Sequence, residues 1–249
     1  GKSGIQYNEF VWSYNRYEKY DVYFNEDSKN LADYTADFAE QIIPKIEGFF
    51  DYTLERRLQF IVYNRLTDFR QSNVGLVTGK DEYNVGGTTT IIQNKAFLYF
   101  EGDFNKYDEQ ITAAVTRVIV NEMINGTALI DNVANATLIN IPKWYSEGLV
   151  AYLSKQWDIV AENQVKDGII NGRYEKFNRL TGDDAVYAGH SFWKYISDTY
   201  GSTVISNILY LTKINKNSNT CFLYVLGLSI KELSYEWLGY YLNMYEQAE

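Results

Sequence analysis

Apolar and polar positions change rhythm partway along this chain. Residues 10–14 and 21–25 are dense in aromatic and β-branched side chains, which predicts a pair of strands. From Leu31 the spacing lengthens. Leu31, Tyr34, Phe38, Ile42 and Ile46 define one face of a helix running from a cap at Ser28 to about Phe49. Pro44 inside that pattern predicts a kink or an early stop, because its nitrogen carries no hydrogen and its ring crowds the preceding turn. Leu58–Tyr63 predicts a short buried strand, 67–73 a polar turn or short helix, and 75–87 a glycine-bearing loop. Residues 89–93 and 96–100 predict two more strands, and from Tyr107 the helical period holds nearly to the end. Strands followed by helices predict an α+β fold. Its strand-rich half is 1–125 and its helical half 126–249, the two forming one unit.

The helix expected over 107–125 is apolar nearly all round. Ile111, Ala114, Val115, Val118, Ile119 and Met123 make one broad face, and Val120 and Ile124 lie on another. A helix of that kind is buried. Arg117 and Asn121 are four apart and share the side between those faces. One reading has both reach solvent over their stems. Ile111, Val115, Val118, Trp144 and Leu149 are expected in the core, and aromatic neighbours Tyr145 and Tyr152 are expected to pack there too.

Composition removes several function classes. The chain has 249 residues, 46% of them hydrophobic, and a net charge of −9, so a phosphate backbone is not an expected partner. No run of 18 apolar residues predicts a membrane span, and no signal peptide is evident. One cysteine, Cys221, excludes an intrachain disulfide, and one histidine, His190, excludes a multi-histidine metal site. The 23 tyrosines fit compositional bias better than a sugar-binding surface. Small motifs read as structural. His190 lies at an aromatic helix start, and Asp183 or Asp184 caps the helix after the Thr181-Gly182 turn rather than forming a glycosidase pair. The stretch 84–90 has too few glycines in register for a phosphate loop, and the glycosylation tripeptides at Asn125 and Asn135 decide nothing.

The segment Pro142-Lys143-Trp144-Tyr145-Ser146-Glu147-Gly148-Leu149-Val150-Ala151-Tyr152 resembles the glutamate-bearing helix of gluzincin (peptidase MA-like) metallopeptidases. In that family it follows a His-Glu-x-x-His helix, and the matching positions here are Arg117-Val118-Ile119-Val120-Asn121. Further blocks are Gly1-Lys2-Ser3-Gly4-Ile5-Gln6-Tyr7, Phe10-x-Trp12, Asp21-Val22-Tyr23-Phe24, Val62-Tyr63-Asn64, Asp68-Phe69, Gln71-Ser72-Asn73-Val74, Gly189-His190-Ser191-Phe192-Trp193-x-Tyr195 and Tyr200-Gly201. Together they resemble Bacteroidetes-type bacterial envelope proteins in which a gluzincin-like domain precedes a β-propeller.

The resemblance implies a thermolysin-like α+β fold with its chemistry removed. Catalytic zinc needs three protein ligands and an open position for water. Arg117 stays protonated, Val118 takes no proton and Asn121 is a poor donor, so of the motif only Glu147 survives. Arg117, Val118, Asn121 and Glu147 are thus vestigial motif positions, with no catalytic residue, no metal and no cofactor. Beside the solvated reading of Arg117 stands a second, in which its guanidinium occupies the vacated metal site and pairs with Glu147, assisted by Asn121. The implied function is a catalytically inactive, periplasmic or cell-surface binding or scaffold module. Its partners would be envelope proteins, and a β-propeller of the full-length chain among them. The competing expectation is an active zinc metallopeptidase or other hydrolase with an atypical site, and glycan binding through exposed tyrosines is a weaker third.

Overall fold

The computed structural model describes residues 12–65, 90–92, 94–126 and 140–248, the side chains of 90–92 excepted. The expectations for 1–11, 67–73, 75–87, Thr89 and Gln93, and the tripeptide at Asn135, lie outside the described residues. The fold is α+β. The chain divides into two compact units, one of Gly1–Pro44 with Glu55–Val115, the other of Lys45–Leu54 with Thr116–Glu249.

The first unit is built on a sheet of β1 (Ser13–Arg16), β2 (Tyr20–Phe24), β3 (Leu58–Tyr63), β4 (Thr90–Ile92) and β5 (Lys95–Tyr99), in the order β1-β2-β3-β5-β4. β2, β3 and β5 run parallel, with Val22 opposite Phe60 and Phe60 opposite Ala96. β1 and β4 pair antiparallel at the edges. The parallel strands are buried almost without a break, as strands covered on both faces must be, while β1 is exposed throughout. Arg57 fastens the β1–β2 hairpin: its guanidinium donates to the carbonyls of Tyr17 and Glu18 and to the Asp21 carboxylate at 3.1 Å.

Parallel neighbours need a crossover, and helix α1 (Lys29–Phe50) supplies it between β2 and β3. The entry is a reciprocal pair. Ser28 Oγ donates to Asn25 Oδ1 at 2.8 Å and accepts the Asn25 N–H at 3.0 Å, so the expected cap at Ser28 is shared with Asn25. The early stop at Pro44 does not occur. The helix runs on to Phe50: Pro44 and Glu40, whose carbonyl loses its partner, are both exposed, so the unpaired carbonyl lies where solvent can satisfy it. Leu31, Ile42 and Ile46 are buried as expected, Tyr34 and Phe38 only half-buried, and the buried face also takes in Ala32, Thr35, Ala36, Ala39, Ile43 and Phe50. In helix α2 (Phe104–Asn125), buried Gln110 acts as one more strand residue for β5: Tyr99 N–H donates to its Oε1 at 3.2 Å and its Nε2 donates to Tyr99 O at 2.7 Å.

The second unit continues α2 from Thr116 and adds α3 (Lys143–Ser154), α4 (Ile159–Ile170), α5 (Gly182–Tyr200), α6 (Thr203–Asn215), α7 (Asn219–Leu226) and α8 (Ile230–Gln247). Its core is aromatic. The Trp144 ring lies 4.7 Å from Phe177, 4.9 Å from Phe192 and 5.7 Å from Trp193, in tilted or edge-on geometry. The ring N–H groups inside are satisfied: Trp193 donates to Tyr145 O at 3.0 Å and Trp237 to Ser191 Oγ at 2.8 Å. Ile111 and Val115 in the first unit, and Val118, Trp144 and Leu149 in the second, are buried as the apolar pattern predicts. Asp183 and Asp184 do not cap α5. The helix starts at Gly182, whose φ of 56° suits a residue without a Cβ, and both carboxylates sit in the first turn. Among the described residues no helix is long and apolar enough to cross a membrane.

Candidate functional site

Positions 117, 118 and 121 lie on the part of α2 that belongs to the second unit, and Glu147 lies in α3 of the same unit. The height of α3 is set by its neighbour. A Cβ on Gly148 would stand 2.4 Å from the Gly189 carbonyl carbon in α5, and one on Gly189 would stand 2.3 Å from Trp144 O. The two backbones touch there, which only paired glycines permit. Tyr145, buried on the same helix, shares a hydroxyl contact of 3.0 Å with Thr212 of α6. Glu147 therefore projects from a helix pinned on two sides.

Arg117 meets it. Nη1 donates to Glu147 Oε1 at 2.9 Å and Nη2 donates to Oε2 at 3.1 Å, a fork-on-fork pair that engages both carboxylate oxygens. The side chains remain 20% and 21% exposed. Neither expectation for Arg117 holds unmodified. The guanidinium is not simply solvated, and the bridge is not fully desolvated. Asn121 is half-buried and, among the described residues, makes no hydrogen bond to Glu147. Val118 is 2% exposed and turned into the core.

These residues do not fit a catalytic metal. A guanidinium repels a cation and offers no lone pair, and valine offers none either. Among the described residues no group of three or more His, Cys, Asp or Glu could hold an ion. The arrangement does provide a charge-neutral crosslink between α2 and α3.

Two further carboxylates of the second unit are buried, one on α1 and one on α2. Glu122 is 1% exposed and accepts the Tyr52 hydroxyl at 2.9 Å. Glu47 is 8% exposed and accepts the Leu54 N–H at 2.7 Å, closing the turn after α1. The available signal was a charge inside an otherwise apolar helical face, which implies a partner. His190 is not at a helix start but in the middle of α5, edge-on to Trp157 at 4.9 Å and to Tyr152 at 6.1 Å. Burial, then repulsion from Lys155 and Lys194, pushes its pKa down to about 4, so it is neutral near pH 7. The half-buried Asp184 is reached by Arg173 at 3.4 Å.

No protein-family model matches the chain, and no curated protein matches it.

Proposed function

We propose that this chain is a gluzincin-like domain in which an ion pair has taken over the mechanical role of the metal, leaving a non-catalytic binding or scaffold module of a bacterial cell envelope. The carrying observation is the double contact of 2.9 and 3.1 Å between Arg117 and Glu147. In an active relative, a cation between the two motif helices neutralises the downstream glutamate. Losing that cation alone would leave a half-buried carboxylate without a counter-charge. An arginine at the first ligand position restores the charge permanently, and its planar fork fixes the carboxylate in orientation as well. The order of elements, a mixed sheet followed by two helices bearing the motif positions, supports the same assignment. Periplasmic or cell-surface placement, envelope protein partners and a β-propeller in the full-length chain belong to this proposal and rest on the sequence resemblance.

The test is metal content. Purified protein exposed to zinc and desalted is expected to retain none in stoichiometric amount and to cleave no peptide library. The double variant Arg117→His with Asn121→His supplies two imidazoles beside Glu147 while leaving buried Val118 alone. It is expected to bind zinc in calorimetry. About one zinc in the unaltered protein, with peptidase activity lost on chelation, would sink the proposal, and so would a double variant that folds but takes up no metal.

A further inference from the structure

A cavity of about 580 Å³ in the second unit is lined at the starts of α3, α5 and α7. Three cations line it, Lys143, Arg179 and Lys216, and among the described residues no Asp or Glu does. That is unusual in a chain of net charge −9. Lys143, Arg179 and Lys216 form no ion pair among the described residues, a state they share with other exposed cations such as Lys213, so all three keep their charge for a ligand. Asp183 and Asp184 sit in the first turn of α5, next to the lining residue Thr181, and offset the positive end of that helix, so the positive character comes from the three cations and the starts of α3 and α7.

The backbone adds to the positive character. α4 and α8 are capped by the side chains of Asp158 and Ser229. The cap residues of α3, α5 and α7, namely Pro142, Thr181 and Ser218, make no such bond. Asn217 Oδ1 takes one N–H of α7, from Asn219 at 2.7 Å. First-turn N–H groups left without side-chain acceptors carry the positive ends of the helix dipoles.

Ser218 is the independent sign of a ligand. It is 5% exposed, it lines the cavity, and its hydroxyl has no hydrogen-bond partner among the described residues. The hydroxyl is not sealed off either; among the described residues that condition applies to Tyr245 alone. A hydroxyl without a protein partner on a residue this buried, still reachable at the cavity lining, can donate to a ligand there. Asn178, also on the lining, accepts Trp144 Nε1 with its Oδ1 at 3.0 Å, which leaves its amide NH2 as a further oriented donor.

We propose that this cavity binds a phosphate group, either as the free ion or as the head of a small ester. Donors and cations with no carboxylate on the lining suit a tetrahedral oxyanion, and the starts of α3 and α7, which carry no acidic residue in the first turn, are favoured places for one. The volume lies in the range of small-molecule pockets, which leaves room for an organic tail.

Isothermal titration of the whole chain at low ionic strength, with inorganic phosphate and separately with glycerol phosphate, tests this. Saturable binding with a Kd at or below about 1 mM is expected for one of the two, and the tighter ligand identifies the source of the phosphate. Arg179→Ala with Lys216→Ala should weaken it by about tenfold or more, since both cations act on the same anion. Both residues are exposed, so folding is spared. Ser218→Ala should weaken binding with an unchanged circular dichroism spectrum. Lys213→Ala, an exposed cation of α6 off the cavity lining, should change nothing. Absence of saturable binding by either ligand would overturn the proposal, as would an affinity that survives the double substitution.

Discussion

A fork of two hydrogen bonds, one-fifth exposed, sets the energy scale for Arg117 and Glu147. Solvent screens such a pair more than a sealed one, yet its geometry is better than that of most surface pairs. The expected coupling in a cycle of Arg117→Met, Glu147→Gln and both is about 1–2 kcal/mol by urea unfolding. Additive single changes would show that the contact contributes nothing. The partner of Arg117 was legible from residue types at the motif positions. The exposure was not, because it depends on side chains from helices far along the chain. His190 gives a second test at this scale. Its folded pKa, about 4, lies below the unfolded value of about 6.5, so the unfolded chain binds the extra proton between those values. Stability from keeping it neutral is therefore complete above about pH 6.5 and is lost as pH falls toward 4. The thermal midpoint of the unaltered protein should drop more steeply across that window than that of His190→Gln. Equal slopes would show that His190 is already charged or freely solvated.

At the scale of helices and strands, one substitution should act with opposite signs at different places. Alanine at Gly148 or Gly189 puts a methyl group into backbone of the facing helix and should cost about 3 kcal/mol or more. At Gly239, exposed in α8 with nothing within 4 Å of where the added methyl group would stand, the same change should stabilise by about 0.5–1 kcal/mol. Denaturant midpoints of the three variants decide it; similar values at Gly148 and Gly239 would refute the close crossing of α3 and α5. Element types were readable because period-2 and period-3.6 stretches are long and distinct. α1 passing through Pro44 was not, since propensity says nothing of whether the orphaned carbonyl faces water. Nor did propensity show Gln110 serving as a strand, a role that needs β5 beside it.

Over the whole molecule, the 23 tyrosines become a stability probe rather than a compositional curiosity. Burial pushes Tyr34, Tyr174, Tyr200 and Tyr241 up to about 12, and Tyr20, Tyr107, Tyr145 and Tyr195 further still. With folded values above the unfolded value of about 10, their contribution is intact below that pH and declines as pH rises through and beyond 12. Tyrosinate absorbance of these eight rings should thus rise late and cooperatively, coinciding with loss of circular dichroism. A single non-cooperative rise near pH 10 would contradict the buried assignments. The α+β class was legible in the change of rhythm along the chain; the cation-lined cavity was not, since Lys143, Arg179 and Lys216 are scattered in sequence and meet only through folding. The crossing of α3 and α5 bears on ancestry. Histidines and a catalytic glutamate are kept only while chemistry is selected, but Gly148 and Gly189 are kept as long as the helices must touch. On the proposed reading, that glycine pair would outlast any metal motif, and distant kin would be better sought by the helix crossing than by the ligands.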